Sequence, residues 1–133
     1  MITSNVHANN PLLRGVSILV ADDSYLNIRV AGKFLQQWGV QMDYALSGKE
    51  AVEKVRDHAY ALVFMDLQMP GMSGLEACSA IRRLPGKAHV PIVALTADNA
   101  WETQAEALAA GMNACLVKPF EPDELFNMIS MYM

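Results

Sequence analysis

Short apolar runs alternate with helical patterns five times along the chain, and this alternation constrains the fold more than any other feature. The runs are VSILVA (16–21), VQMDYA (40–45), ALVFM (61–65), PIVAL (91–95) and ACLV (114–117). Most of them contain four or five consecutive apolar residues, a pattern typical of strands that are buried on both faces. Five βα units of this kind predict an α/β fold, a doubly wound (βα)5 five-stranded parallel sheet with helices on both faces.

The helical patterns carry signals of their own. Val30, Phe34 and Trp38 recur at fourfold spacing with Leu35 beside them, and they predict the core-facing stripe of the first helix. Ser47 and Glu50 have the spacing of a capping box and predict the start of the second helix.

Length, charge and cysteines limit the class of protein. The 133 residues fit one domain, predicted over 15–133, after a polar, Asn-rich tail or linker over 1–14. With a net charge of -4 and no cluster of Lys or Arg, we expect no direct binding of nucleic acid. No apolar run approaches the ~20 residues that span a bilayer, so we expect no membrane insertion. Cys78 and Cys115 lie in apolar stretches and predict reduced, packed thiols in a cytoplasmic protein.

Polar residues stand where four of the five predicted strands end. Asp22 and Asp23 follow the first strand, Asp66 the third, Thr96 the fourth and Lys118 the fifth. Because the carboxyl ends of parallel strands share one edge of the sheet, where ligands bind, we expect these five side chains to converge.

Such a cluster predicts phosphoryl chemistry. Three carboxylates a few ångströms apart repel one another, each close pair by on the order of 4 kcal/mol at 4 Å. A divalent cation compensates, and oxygen-only ligands favour Mg²⁺. Lys118 adds an anion contact and Thr96 a hydroxyl donor, which completes a pocket around a carboxylate nucleophile. Each residue alone has an ordinary explanation as a turn, cap or loop residue, so the prediction depends on their joint occurrence.

The segments ILVADDS, VFMDLQMPGMSG, VALTA and LVKPF resemble those of CheY-like response-regulator receiver domains, which have a flavodoxin-like fold. The resemblance extends from about Val16 to the end of the chain. It implies two-component signal transduction, in which Asp66 accepts a phosphoryl group from a phosphohistidine of a sensor histidine kinase or a histidine phosphotransfer domain. It also implies self-phosphorylation and autodephosphorylation, without turnover as an enzyme, and signalling through protein contacts. Histidine kinase activity would require a larger hybrid protein.

The resemblance implies roles for the metal ligands. Asp23 looks like a direct Mg²⁺ ligand, and Asp22 looks like a ligand that acts mainly through water. Asp66 belongs to the same set of metal ligands. The backbone carbonyl of Gln68 would be a further ligand.

It implies roles around the phosphoryl group as well. Thr96 and Lys118 would each bind a phosphoryl oxygen, and the amide N–H of Ala97 would face the group. The Lys118-Pro119 bond is expected to be cis.

One position departs from the family pattern. Cys115 stands where receivers commonly carry Tyr or Phe, so the usual aromatic switch coupled to Thr96 is absent. We expect the signal to pass through the loop after the fourth strand to the start of the fourth helix, where Trp101 should be exposed. The alternative is a module that serves chiefly as a phosphoryl relay.

Several readings remain open. Asn27, Gln68 and LRGVSILVADDS are similar to receiver modules of hybrid sensor histidine kinases, which makes a phosphorelay intermediate the alternative to a stand-alone regulator. A haloacid-dehalogenase-type phosphatase is disfavoured, because its D-x-D pattern and cap domain are missing. A flavodoxin-like electron carrier is disfavoured by the acidic pair after the first strand. A scaffold-only receiver is favoured only by Cys115.

Overall fold

The computed structural model describes residues 13–133, which form five strands and five helices in alternation. The strands are β1 (Ser17–Ala21), β2 (Gln41–Ala45), β3 (Leu62–Asp66), β4 (Ile92–Thr96) and β5 (Ala114–Val117). The helices are α1 (Tyr25–Gln37), α2 (Gly48–Asp57), α3 (Gly74–Arg82), α4 (Trp101–Ala109) and α5 (Pro122–Ser130). The predicted (βα)5 order is confirmed.

The predicted tail over 1–14 lies mostly outside the described residues and stays a prediction. Within it, Leu13 is fully buried against the core on the α1 side of the sheet. Among the helices of residues 13–133, none has the length and apolar character needed to cross a bilayer.

All strand pairs are parallel, in the order β2-β1-β3-β4-β5. The order reverses between β1 and β3, which are adjacent, with Ala21 beside Met65. This is the switch point at which open α/β sheets bind their ligands. The first and third strands therefore deliver the residues that follow them to the position where a ligand pocket is expected.

The sheet is buried on both faces, as the apolar runs predict. Along β1, Leu19 and Ala21 pack towards α2, α3 and α4, whereas Ile18 and Val20 pack towards α1 and α5. Burial of one such aliphatic side chain contributes about 1.5–3 kcal/mol, so these two cores hold the strand ends in fixed positions.

The predicted stripe of the first helix is partly wrong. Leu35 and Trp38 are buried as predicted, but Val30 is 50% exposed, and the buried side of α1 continues through Ile28 instead. A fourfold spacing exceeds the helical repeat, so Val30 and Trp38 point about 80° apart around the helix axis.

The predicted capping box of α2 forms only in part. The hydroxyl of Ser47 accepts from the Glu50 N–H at 3.1 Å, but the Glu50 carboxylate accepts from the N–H of Leu46, one residue before the cap. A complete capping box, which the sequence analysis did not identify, starts α3 with Ser73 and Glu76.

The two cysteines are free, as predicted for reduced thiols, with Cys78 buried and Cys115 half-buried.

Candidate functional site

The carboxyl edge of the sheet brings four predicted residues together. Asp22, Asp23 and Asp66 each offer a carboxylate oxygen, and these oxygens lie within 4.8 Å of one another. The Nζ of Lys118 lies 3.3 Å from Asp22 Oδ2 and 3.2 Å from Asp66 Oδ2. Asp22 and Asp66 are buried, whereas Asp23 is exposed. The edge therefore holds a compact acidic cluster with one ammonium group against its buried side.

Asp22 is oriented by protein donors. Its Oδ1 accepts from the N–H of Ser24 at 2.9 Å, and its Oδ2 accepts from the side-chain amide of Asn27 and from Lys118, both at 3.3 Å. Asn27 was noted in the sequence only as a point of resemblance, yet it contacts the cluster directly. Its position in the first turn of the helix after the acidic pair was the available signal. These donors fix the Asp22 carboxylate and fit the indirect metal role expected of it.

The Asp66 carboxylate occupies a desolvated position. Its Oδ1 accepts from the N–H of Gln68 at 3.0 Å, and its Oδ2 accepts from Lys118. Burial raises the pKa of Asp66, and the neighbouring charge of Asp22 raises it further, against the opposing hydrogen bond from Gln68 and the charge of Lys118. The anionic form therefore lacks full compensation, and a hard cation among these oxygen donors would supply it. This donor set fits Mg²⁺.

Lys118 carries the compensating charge that the protein itself provides. Burial acts to lower its pKa, but the charges of Asp66 and Asp22 and the hydrogen bonds to both raise it overall. Its backbone N–H donates to the Thr96 carbonyl at 2.7 Å, and the expected cis peptide bond to Pro119 is observed. The ammonium form of Lys118 is thus held where an anion bound to Asp66 would meet it.

Thr96 is buried at the end of β4, and its hydroxyl is engaged with the following loop. Its Oγ1 accepts from the Asp98 N–H at 3.0 Å and donates to the Asp98 carbonyl at 3.3 Å. The exposed Ala97 lines a surface depression with Asn27 and Lys118. The predicted roles of Thr96, of the Ala97 N–H and of the Gln68 carbonyl towards a ligand stay predictions.

Gly74, the first residue of α3, positions the backbone of Asp66. Its N–H donates to the Leu67 carbonyl at 3.0 Å. A Cβ on Gly74 would lie 2.9 Å from the Asp66 carbonyl carbon and from Leu67 Cα, and closer still to the Asp66 carbonyl oxygen. In the sequence this glycine is only the last residue of the segment VFMDLQMPGMSG, because its close approach to β3 depends on how two elements pack.

Comparison with known proteins gives the same assignment over most of the chain. Residues 18–130 match the family model described as "Response regulator receiver domain". The chain is 36% identical to "Probable histidine kinase 4" of Oryza sativa subsp. japonica, over 92% of this chain and 14% of that protein. It is 41% identical to "Hybrid signal transduction histidine kinase B" of Dictyostelium discoideum, over 87% of this chain and 6% of that protein. The chain thus spans a small part of these relatives.

Solved structures resemble the fold over nearly its whole length. Chemotaxis response regulator CheY4 of Vibrio cholerae has a TM-score of 0.85 at 29% identity, over 90% of this chain and 99% of that chain. The receiver domain of sensor histidine kinase PA1611 from Pseudomonas aeruginosa, with a magnesium ion coordinated in its active-site cleft, has a TM-score of 0.83 at 31% identity, over 89% and 97%. The Ssk1 receiver structure from Saccharomyces cerevisiae, solved with the histidine phosphotransfer protein Ypd1, has a TM-score of 0.84 at 32% identity, over 90% of each chain.

The matched family model, the sheet order and the acidic edge therefore agree, and the chain belongs to the response regulator receiver domain family of two-component signalling systems.

Proposed function

We propose that the Asp66 carboxylate accepts a phosphoryl group from a phosphohistidine of a sensor histidine kinase or histidine phosphotransfer domain, in a Mg²⁺-dependent reaction. The observation that carries this proposal is the contact of Lys118 Nζ with both Asp66 and Asp22, beside a third carboxylate within 4.8 Å. A buried nucleophilic oxygen, an ammonium group and an oxygen-rich cation site are the parts that phosphoryl transfer requires.

The transfer exchanges one bond for another at phosphorus. A carboxylate oxygen of Asp66 forms the new P–O bond while the P–N bond to the donor imidazole breaks, and the imidazole leaves with its electron pair. The product is an acyl phosphate on Asp66. Lys118, which holds Asp66 Oδ2 at 3.2 Å, is placed to contact an oxygen of the incoming group. Attack by water on the acyl phosphate later restores the carboxylate and releases phosphate.

The residues that would hold Mg²⁺ are Asp22, Asp23, Asp66 and the backbone carbonyl of Gln68. When bound, the ion neutralises charge on the transferring phosphoryl oxygens. The fit of the site supports this, since Asp66 is desolvated, its pKa is raised, and two further carboxylates lie beside it. The magnesium ion in the similar Pseudomonas receiver supports it further.

The partners follow from the donor chemistry. His58 and His89 are both exposed and lie outside the acidic cluster, and neither is the phosphodonor of this proposal. We expect the phosphodonor histidine to lie on a partner protein or another domain. The similarity to the receiver solved with Ypd1 supports a histidine phosphotransfer partner. We expect the domain to act in the cytoplasm, through protein contacts, without nucleic acid and without turnover as an enzyme.

A second candidate is service as a phosphorelay intermediate within a hybrid histidine kinase. The observation that favours it is the similarity of this chain to a hybrid signal transduction histidine kinase of Dictyostelium discoideum, at 41% identity. Histidine kinase activity would then belong to other parts of the longer protein.

The experiment is labelling by acetyl phosphate with intact-mass detection. The wild-type protein should gain one phosphoryl group with Mg²⁺ and none with excess EDTA, and Asp66→Ala should gain none. Asp57→Ala is the matched control, because Asp57 is an exposed aspartate paired with Arg56 at the end of α2. An adduct of equal yield in Asp66→Ala would show that the acceptor assignment is wrong.

A further inference from the structure

We propose that Asp98 is a positioning residue that couples Thr96 to the first turn of α4, and so carries the phosphorylation signal without an aromatic residue on β5. This inference rests on the proposed phosphorylation of Asp66. It concerns one set of contacts, the Asp98 link, defined as Asp98 with Thr96, Ala100 and Thr103.

The first half of the Asp98 link joins Asp98 to the end of β4. The Thr96 hydroxyl donates its single hydrogen to the Asp98 carbonyl at 3.3 Å and accepts from the Asp98 N–H at 3.0 Å. A hydroxyl has one hydrogen to donate, so it serves either this carbonyl or an oxyanion on Asp66. The charge-assisted bond to an oxyanion is the stronger of the two. Recruitment of Thr96 to a phosphoryl oxygen therefore breaks its bond to the Asp98 carbonyl.

The second half of the Asp98 link joins Asp98 to α4. Its Oδ1 accepts from the Ala100 N–H at 2.8 Å, and its Oδ2 accepts from the Thr103 hydroxyl at 2.8 Å. Ala100 is the N-cap of α4 and supplies no side-chain acceptor. Asp98 thus caps α4 although it lies two residues before the N-cap position. Its backbone is hydrogen-bonded to Thr96 and its carboxylate to the first turn of the helix.

Besides the Asp98 link, an exposed hydrogen bond, from the Gln104 side-chain amide to the Asn99 carbonyl at 3.3 Å, joins this turn to the loop. The one buried residue of α4 is Ala107, near its C-terminal end, whereas Trp101 at its start is 74% exposed. A helix start without buried side chains depends on its capping bonds. Movement of Asp98 is therefore expected to loosen the first turn and shift Trp101 at the surface.

With Cys115 on β5, no aromatic ring is present at this position to transmit the signal in parallel with the Asp98 link. The thiol is half-buried and packs on the sheet face that α3 and α4 cover. It is too small to exchange between a buried and an exposed position as an aromatic ring does. The Asp98 link instead connects Thr96 to the surface of α4 through hydrogen bonds at both ends of Asp98, to Thr96 on one side and from Ala100 and Thr103 on the other.

The test is amide hydrogen exchange at residues 100–104 in wild-type protein and Asp98→Ala, each with Mg²⁺ alone and with Mg²⁺ plus beryllofluoride. Loss of a cap should speed exchange in Asp98→Ala by about fivefold without beryllofluoride. Beryllofluoride should speed exchange in the wild type by a similar factor. In Asp98→Ala it should speed exchange by less than about twofold further, because the substitution and beryllofluoride disrupt the same contacts. A purely structural cap would give faster exchange in the variant with the full beryllofluoride response retained, and this result would overturn the proposal.

Two further variants distinguish loss of the Asp98 hydrogen bonds from a general effect of mutating this loop. Asp98→Asn keeps an acceptor for the Ala100 N–H, so it should restore slow exchange and most of the response. Asn99→Ala changes the neighbouring exposed side chain and should match the wild type in all conditions.

Fluorine NMR reports bound beryllofluoride independently. A bound signal without any change at residues 100–104 of the wild type would refute the Asp98 link alone. Absence of a bound signal in the wild type would refute the phosphorylation of Asp66 and the link together.

Discussion

Gly74→Ala should damage the phosphoryl site although the side chain it adds is one methyl group. The added Cβ would lie 2.9 Å from the Asp66 carbonyl carbon and from Leu67 Cα, whereas ordinary van der Waals contact begins at 3.4 Å. Both contacts are backbone, so no side chain can rotate away. Relief of the nearest contact, with the Asp66 carbonyl oxygen, requires α3 and β3 to separate by roughly 1 Å at this point.

The magnitude follows from two opposing effects. Overpacking costs about 1–3 kcal/mol, and alanine recovers up to ~1 kcal/mol through its better helix propensity. The free energy of unfolding should therefore fall by about 1–2 kcal/mol. The larger effect is expected in chemistry. If α3 and β3 share the movement equally, Asp66 shifts by roughly half an ångström. Since misplacement by 1 Å costs on the order of 100-fold in rate, labelling should then slow by about tenfold.

The assay is the initial rate of acetyl phosphate labelling with Mg²⁺, measured well below the Tm of each variant. Gly86→Ala is the control, because Gly86 has a φ of +76° with nothing within 4 Å of the added Cβ. Alanine there costs about 1–2 kcal/mol of backbone strain without approaching Asp66. If Gly74→Ala labels at the wild-type rate while both variants lose similar stability, the reasoning on Asp66 positioning is refuted.

Mg²⁺ should raise the Tm of the wild type by binding the folded state, and the Asp23→Asn variant should bind Mg²⁺ about tenfold more weakly. If Mg²⁺ raises the Tm of this variant as much as that of the wild type, Asp23 is not a ligand. In a Trp38→Phe variant, emission from Trp101 should change with beryllofluoride and Mg²⁺; a constant emission in protein shown to bind beryllofluoride would favour the simple relay. Tyr60→Phe, which removes the 2.6 Å bond from Tyr60 to Asp43, should cost about 1 kcal/mol at neutral pH, after allowance for partial exposure. Burial acts to raise the pKa of Asp43, but hydrogen bonds led by Tyr60 hold it below its ordinary value of 3.8, so this stabilisation is present above pH 3.8 and is lost as the pH falls below it. The Tm difference between wild type and Tyr60→Phe should therefore narrow in acid, and a constant difference down to the acid transition would contradict the assignment.

The strand positions were predictable because burial on both faces leaves a signal in a few consecutive residues. The third run was predicted over 61–65 and observed as Leu62–Asp66, which places Asp66 at the same edge in either case. The convergence of Asp22, Asp66 and Lys118 followed from parallel topology alone, without knowledge of any side-chain contact.

Features set by side-chain geometry were not predictable in the same way. Fourfold spacing predicts a core position for Val30 only if the helix repeats every four residues, but four residues turn the helix through more than a full circle. The amide of Asn27 on Asp22 and the Thr96 hydroxyl on Asp98 depend on rotamers and loop conformation, which leave no periodic pattern. The approach of Gly74 to Asp66 depends on packing between two elements.

The contacts of Lys118 also bear on the biogenesis of the domain. Its ion pair with Asp66 spans 52 residues of chain, and that with Asp22 spans 96. During synthesis the carboxylates leave the ribosome well before this lysine, which takes its place only after the fifth strand has joined β4. A nascent or truncated chain that ends before β5 therefore has both carboxylates without the ammonium group that contacts them. On the proposed function, we expect a full response to a phosphodonor only from molecules in which the fifth strand has joined the sheet.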